Sequence, residues 1–116
     1  MQVFLNILNN AKDAFTETIN EHPAIRFHLS ENGKNSLLFL ISNNAGSIPS
    51  HILERIFEPY FSTKSEKNGT GLGLYMSSII VEKHLNGSLR ACSDANETTF
   101  AVLVPTHTNE KQYNVY

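Results

Sequence analysis

The sequence lacks the features that mark nucleic-acid-binding, membrane-spanning and secreted proteins. Nine basic and eleven acidic residues give a formal net charge of −2, and no run of like charge exceeds two residues. A nucleic-acid partner needs a stripe of basic residues, and none is visible. No apolar stretch is longer than residues 37–41, which is far shorter than the ~18 to 20 residues of a membrane span, and the amino end shows no signal-peptide pattern. We therefore expect a soluble, cytoplasmic chain without nucleic-acid or direct membrane contact.

Cysteine and histidine are too sparse to build a disulfide framework or a metal centre. The single cysteine, Cys92, cannot pair within the chain, which fits a reducing compartment. We expect it to be a small, buried, apolar residue. The five histidines show no metal-site spacing, so we expect them to be surface or strand residues.

The material for one folded domain is present. A chain of 116 residues has room for a single domain. Its hydrophobic fraction of 41%, with seven Phe, can build a core that offsets the entropy lost on ordering. We predict a domain over residues 1–105 and a polar, frayed tail over residues 106–116.

The first segment has the pattern of an amphipathic helix. Apolar residues recur at helical spacing through residues 2–20, and Pro23 follows. The opposite face is a narrow stripe of polar side chains: Asn6, Asn10, Asp13 and Glu17.

The rest of the chain predicts strands in antiparallel pairs with helices between them. The predicted elements are a half-buried strand at 24–30, a hairpin turn at Asn32-Gly33, a central strand at 36–42, a short helix at 50–57, a mobile polar loop at 58–71, a helix at 72–86, and strands at 88–93 and 98–105. The core face of the last helix is predicted at Leu72, Met76, Ile79 and Ile80. This order predicts an α+β fold: a two-layer sandwich whose mixed, mostly antiparallel sheet is covered on one face by helices.

A glycine-rich motif, residues 69–74, lies where the polar loop becomes a helix. Glycines let a backbone approach a ligand closely, and the first amides of a helix suit phosphate. The motif alone would equally fit a plain tight loop. Two features favour phosphate: Asn6 and Asn10 could offer amide oxygens to Mg²⁺, and Lys64 and Lys67 could close over phosphate oxygens.

Three ordered motifs resemble those of one family. Residues 2–11, QVFLNILNNA, resemble the N box of sensor histidine kinases. Residues 56–64, IFEPYFSTK, resemble their F box, and residues 69–74, GTGLGL, match their G2 box. Because the three occur in order over nearly the whole chain, the sequence is identified as a member of this Bergerat-type ATPase group.

The resemblance implies the ATP-binding catalytic domain of a two-component kinase, which transfers the γ-phosphoryl group of Mg-ATP to a histidine. That histidine would lie on a separate dimerisation domain, and a response regulator would be the later partner. Asn10 would be the catalytic residue and Mg²⁺ ligand, and residues 62–70 would form the ATP lid. The implied ATP-binding set is Asn6, Asn10, Asp13, Asn43, Gly46, Lys64, Thr70, Gly71, Leu72 and Gly73.

Two elements of the family are missing from the sequence. None of the five histidines is followed directly by an acidic residue, as the family's phosphoacceptor is. The strand and helix expected before the N box are also missing. We therefore expect a domain truncated at its amino end, which cannot autophosphorylate alone, and the sequence leaves open whether its parent protein is membrane-anchored.

The family's G1 box, Asp-x-Gly-x-Gly, is altered. Asn43 stands where the Asp would receive the adenine amino group, and Ala45 and Ser47 stand where the glycines would be. A neutral hydrogen bond in place of a charge-assisted one costs about 1 to 2 kcal/mol. If Ala45 and Ser47 adopted positive φ, each would add about 1 kcal/mol or more, for roughly 3 to 5 kcal/mol in all.

The altered box leaves alternatives to an active kinase domain. One is a pseudokinase-like module that keeps the fold, binds no nucleotide and acts by docking to a partner protein. Another is an ATPase or serine kinase of the same superfamily. Measuring Mg-ATP binding separates the first alternative from the kinase interpretation.

Overall fold

The computed structural model describes residues 2–61 and 72–106. In chain order the elements are helix α1 (Gln2–Thr16), strands β1 (Ile25–Glu31) and β2 (Ser36–Asn43), helix α2 (Ser50–Leu53), helix α3 (Gly73–Ile79) with a π-helical turn (Ile80–His84), and strands β3 (Ser88–Ser93) and β4 (Thr98–Pro105). None of the helices in these ranges is long and apolar enough to cross a membrane.

The strands form one sheet in the order β1-β2-β4-β3. Every pairing in the described part of the chain is antiparallel, so the predicted α+β sandwich is confirmed, and the sheet is antiparallel there rather than mixed. The prediction of a central strand is confirmed by β2, which lies between β1 and β4. Gly33 has a φ of 75° in the predicted hairpin turn, a conformation that glycine adopts without strain.

The hydrophobic core lies between the helices and one face of the sheet. Inward-facing residues of α1 and α3's π-helical extension pack against alternate residues of three strands. The fully buried apolar side chains of this core are Ile7, Ile41, Val81 and Phe100. Phe57, which follows α2, meets Phe100 edge to face with 6.4 Å between the ring centroids.

Helix α1 is shorter than its hydrophobic pattern predicts. The predicted helix continues to residue 20, whereas α1 ends at Thr16. Threonine hydroxyls donate hydrogen bonds to backbone carbonyl groups of the last turn. Thr16 Oγ1 donates to the Asp13 carbonyl oxygen at 2.6 Å, and Thr18 Oγ1 donates to the Ala14 carbonyl oxygen at 3.2 Å. Glu17 therefore lies outside the helix, and the polar stripe ends at Asp13.

The short helix after the G1 segment is also shorter than predicted. The sequence predicts residues 50–57, but α2 covers Ser50–Leu53 and the chain continues as turns to residue 60. The predicted loop at 58–71 falls largely outside the described residues.

The predicted core face of the last helix is partly wrong. Met76 is 47% exposed, whereas Ser77 and Val81 are fully buried. Residue 77 lies against α1, where the serine hydroxyl accepts a hydrogen bond from Asn6, as described below. Hydrophobicity alone cannot reveal a buried position that a serine occupies.

The helix stops at the predicted Asn86-Gly87 pair. Asn86 has a φ of 55°, the left-handed conformation typical of the residue after a helix. The Gly87 amide donates back to the Val81 oxygen at 2.9 Å. A Cβ on Gly87 would lie 2.0 Å from the Leu103 carbonyl oxygen, so the close approach to β4 requires glycine.

Two burial predictions are wrong, and both concern residues of the edge strands β1 and β3. The apolar side chains of β1 are exposed, Phe27 by 51%, although the Phe4 ring of α1 reaches Phe27 at 5.3 Å between centroids. Cys92 on β3 is exposed rather than buried. It alternates with Leu89 and Ala91, which pack in or against the core, so it faces the side of the sheet opposite the helices.

Candidate functional site

Asn6 connects helix α1 to helix α3. Its Nδ2 donates to the carbonyl oxygen of Gly73 at 3.0 Å and to the hydroxyl of Ser77 at 2.9 Å. Its Oδ1 accepts a hydrogen bond from Gln2 Nε2 at 3.1 Å. Both ends of the amide are therefore engaged within the protein, and Asn6 acts as a link between two helices. Its predicted position beside phosphates stays a prediction.

Asn10 lies one helical turn beyond Asn6 on the same polar face. Its side chain is half-buried and forms no hydrogen bond with any residue that the structure describes. Asp13, the next member of the stripe, is also half-buried. A half-buried amide without a partner in the described part of the chain can bind a ligand through its oxygen.

The beginning of α3 belongs to the glycine-rich motif. Leu72 precedes the helix with a φ of −109°, and its side chain does not cap the helix. Gly73 is exposed, and a Cβ placed there would lie 3.7 Å from Asn6 Cγ, an ordinary contact. Packing therefore does not require glycine at position 73. The other predicted residues of this region, Lys64, Thr70 and Gly71, lie outside the described residues.

Asn43 ends β2 and begins the altered G1 segment. The residue is only 6% exposed. Its Oδ1 accepts a hydrogen bond from the Ala45 amide at 3.1 Å, which turns the chain sharply into the loop. Nδ2 has no hydrogen-bond partner in the described ranges.

The backbone strain expected in this segment is absent. Gly46 adopts a φ of 119°, but Ala45 and Ser47 do not adopt positive φ. In the described part of the chain, the non-glycine residues with positive φ are Tyr60 and Asn86. The one glycine of the altered box thus carries the unusual conformation, so the conditional penalty for Ala45 and Ser47 does not apply.

Two residues that the sequence analysis missed hold this segment to the sheet. Cross-strand register places Asn43 beside Thr98, and Thr98 beside Ser93. Thr98 Oγ1 donates to the Gly46 carbonyl at 3.0 Å, and the Ile48 amide donates to Ser93 Oγ at 2.8 Å. A sequence signal existed: Thr98 is two residues before buried Phe100, and therefore on the same inward face.

Asn43, Thr98 and Ser93 thus form a row of polar side chains, which the turn between β3 and β4 supports. The Ser93 hydroxyl approaches the Glu97 carbonyl at 3.2 Å, and Glu97 also forms an ion pair with Arg26 of β1. Asp94 Oδ1 accepts hydrogen bonds from the Asn96 and Glu97 amides, each at 2.9 Å. These backbone donors stabilise the charged carboxylate and lower the pKa of Asp94 below its ordinary value.

The described part of the F-box segment is held by aromatic and ionic contacts. The Arg55 guanidinium lies 4.5 Å from the centroid of the Phe61 ring, and Arg55 Nε donates to Glu58 Oε1 at 3.2 Å. Both Arg55 and Glu58 are exposed, so this pair contributes mainly to the shape of the turn.

The chain as a whole matches a known family. Residues 1–108 match the histidine kinase-, DNA gyrase B-, and HSP90-like ATPase family, to which the chain therefore belongs. Among curated proteins, the chain is 36% identical to the two-component sensor PprA of Pseudomonas aeruginosa and 33% identical to the sensory histidine kinase/phosphatase NtrB of Rhizobium leguminosarum bv. phaseoli, with 90% of the chain covered in each case. The predicted likeness to sensor histidine kinases is confirmed.

Solved structures agree with the fold. A nucleotide-free form of the catalytic domain of histidine kinase ThkA superposes with a TM-score of 0.73 at 28% identity, over 90% of this chain and 65% of that one. The chain spans 11% of PprA and 30% of NtrB, so it corresponds to a small part of these relatives.

Proposed function

We propose that this chain is the ATP-binding catalytic domain of a two-component sensor histidine kinase, as the family membership and the kinase relatives support. It would transfer the γ-phosphoryl group of ATP to a histidine on a separate dimerisation domain of the same kinase. The observation on which the proposal chiefly rests is Asn10: its half-buried amide has no protein partner in the described ranges, one turn from the Asn6 link to the glycine motif.

The chain's own residues would act by positioning. By the family resemblance, the backbone amides of Gly71, Leu72 and Gly73 would bind the triphosphate, since amides at the amino end of a helix suit phosphate. Asn6 would hold the Gly73 end of this region against α1. Phosphoryl transfer needs an aligned substrate and stabilised charge rather than a protein nucleophile, which agrees with the residues present.

The donor set fits Mg²⁺. Asn10 offers an amide oxygen, and Mg²⁺ is bound by few protein oxygens together with substrate phosphates and waters. Asn10 would hold the ion, with Asp13 one turn further along the same face. When bound, Mg²⁺ neutralises charge that develops on the phosphate oxygens.

The base would lie beside Asn43, where the family resemblance places adenine. Without backbone strain at Ala45 and Ser47, the expected penalty falls to the about 1 to 2 kcal/mol of the missing charge-assisted hydrogen bond. That is roughly a 5- to 30-fold loss of affinity. A site of micromolar affinity would remain a working nucleotide site.

The pseudokinase-like alternative loses most of its structural argument. It rested on three altered positions, and two of them adopt unstrained backbone conformations. The matched relatives quoted above are described as sensors and kinases, and none of them favours a nucleotide-free module.

The remaining parts of the proposal follow from the resemblance. Lys64 and residues 62–70 would form the lid over ATP. A response regulator would receive the phosphoryl group from the dimerisation domain, and the domain would work in the cytoplasm.

The proposed function is tested by calorimetry on the full chain, with its fold verified by circular dichroism. A non-hydrolysable ATP analogue should bind with micromolar to submillimolar affinity in Mg²⁺ and more weakly in EDTA. Asn10→Ala should abolish the difference between the two conditions. Asn9→Ala is the matched control, because Asn9 is exposed and next in sequence. No binding at millimolar nucleotide by a folded chain would overturn the proposal.

A further inference from the structure

The polar row at the end of the sheet has little hydrogen-bonding capacity to spare. Thr98 Oγ1 donates its proton to the Gly46 carbonyl. The Ser93 hydroxyl has one proton and two acceptors within reach, Thr98 Oγ1 at 3.0 Å and the Glu97 carbonyl at 3.2 Å. Both hydroxyl protons are therefore committed to the protein. In this row, all of whose members are described, Asn43 alone keeps unused donors.

The orientation of the Asn43 amide is determined by its neighbour. An Asn side chain offers one oxygen acceptor and one NH₂ donor, which are distinguished by the groups that they contact. The Ala45 amide is a donor and lies 3.1 Å from the position of Oδ1. Only the oxygen can accept that hydrogen bond. Nδ2 must consequently occupy the other position, where it meets no acceptor in the described ranges.

Nδ2 is also open to solvent. No fully buried side-chain nitrogen or oxygen of a described residue lacks a hydrogen-bond partner. Asn43 is 6% exposed and its Nδ2 has no partner, so this nitrogen contributes to the small accessible part of the residue. The Asn43 side chain, although its residue is more than nine-tenths buried, thus presents an unpaired donor where the G1 segment begins.

The chemistry of this donor distinguishes between purines. Position 6 of adenine carries an amino group, which is a donor, whereas position 6 of guanine carries an oxygen, which is an acceptor. A buried donor that meets another donor leaves both without a partner, and sites reject ligands for that reason. An Asp at position 43 would present a second acceptor there and would suit the amino group.

We propose that Asn43 adapts this site to nucleoside triphosphates with a 6-oxopurine base, GTP and ITP, in preference to ATP. The inference rests on the proposed function, since it requires a nucleotide whose base lies beside Asn43. Inosine triphosphate is the sharpest probe, because its base lacks the 2-amino group of guanine and differs from adenine only at the 1,6 edge.

Competition binding of ATP, GTP and ITP in Mg²⁺ to the full chain tests the inference. ITP should bind roughly 5- to 30-fold more tightly than ATP, the range expected for one mismatched hydrogen bond. Asn43→Asp should reverse the order, because it replaces the donor by an acceptor of the same shape. Asn35→Asp is the matched control: it adds the same charge at an exposed residue near the opposite end of β2 and should leave the order unchanged.

The outcomes separate the two proposals. If the parent chain binds ATP more tightly than ITP, the inference is overturned while the proposed function stands. If Asn35→Asp reverses the order as well, overall charge decides the preference and the role of Asn43 is refuted. If a folded chain binds none of the three nucleotides, the proposed function fails and the inference with it.

Discussion

Asn6 of α1 donates a hydrogen bond to the carbonyl oxygen of Gly73, the first residue of α3, at 3.0 Å. The same nitrogen also donates to Ser77 Oγ, and Ser77 in turn donates to the Gly73 carbonyl at 2.9 Å. Asn6 and two residues one turn apart in α3, which are distant from it in the sequence, thus form a closed group. The start of the helix that carries the glycine motif is thereby held against the helix that carries Asn10.

Removing this link should destabilise the fold. Asn6→Ala leaves the buried Ser77 hydroxyl without its donor, and we expect a loss of about 1 to 3 kcal/mol in the free energy of unfolding. Urea denaturation followed by circular dichroism measures it. Asn9→Ala, at an exposed position of the same helix, should change stability by less than about 0.5 kcal/mol. Equal effects of the two substitutions would show that the link contributes nothing.

Two glycines should respond in opposite ways to a methyl group. Gly87→Ala places a Cβ 2.0 Å from the Leu103 carbonyl, and overpacking of this kind costs about 1 to 3 kcal/mol or more. Gly73→Ala places a Cβ in ordinary contact with Asn6, 3.7 Å from its Cγ, and should keep or slightly raise stability. Thermal denaturation compares them. If Gly73→Ala melts well below the parent, position 73 has a structural requirement that the packing does not reveal.

Restoring the family's glycines at positions 45 and 47 should not improve nucleotide binding. Ala45 and Ser47 are not at positive φ, so no strain is relieved, and each added glycine should instead lower stability by about 0.4 to 1 kcal/mol through the unfolded state. In calorimetry with ATP, the double variant should bind ATP with the same affinity as the parent chain. Recovery of tight binding without Asn43→Asp would contradict this expectation.

The Thr98 hydroxyl should matter more than that of its neighbour Thr99. Thr98→Val removes the donor to the Gly46 carbonyl at a position 3% exposed, and should cost about 1 to 3 kcal/mol. Thr99 faces the other side of the sheet, where its hydroxyl pairs with Ser42 at 2.8 Å. Thr99→Val is the matched control with the smaller expected loss in urea denaturation. The reverse order would argue against the row of polar residues as a support for the loop.

Asp94 should make stability depend on pH in the acid range. Its pKa is lowered in the folded chain by the Asn96 and Glu97 amides, so the unfolded state binds the proton more strongly. The stabilisation is therefore present above the ordinary carboxyl pKa of 3.8 and is lost as the pH falls through the lower folded value. The difference in unfolding free energy between parent and Asp94→Asn should be constant near neutral pH and shrink below about pH 4. A difference that does not change with pH would refute the role of the charge.

The sequence predicted most of the secondary structure because local patterns suffice for it. Alternation and turn chemistry located β3 and β4 as the structure has them, and the Asn86-Gly87 stop is where the helix ends. The ends of α1 and α2 were less accurate, since side-chain hydroxyls and turns compete with further helical hydrogen bonds. The N, F and G2 boxes also identified the family, which the comparisons confirm.

Residue environments were predicted less well, because a periodic pattern shows which residues share a face and not what covers that face. Cys92 and Met76 were expected inside and are exposed, whereas Ser77 is buried with polar partners. What covers each of these side chains depends on strand order and helix packing, which bring together residues far apart in the sequence.

The sequence by itself determined the order of the elements, the family, and the replacement of the G1-box Asp by Asn43. These follow from residue type and local spacing. Only the tertiary structure decided how those residues are used. Register between β2, β4 and β3 places Asn43, Thr98 and Ser93 in one row. The Ala45 amide then orients the Asn43 side chain, and Gly46 takes the left-handed conformation that Ala45 and Ser47 avoid. Hydrogen-bond direction and backbone dihedrals are properties of the assembled fold, so no pattern of residue types could have supplied them.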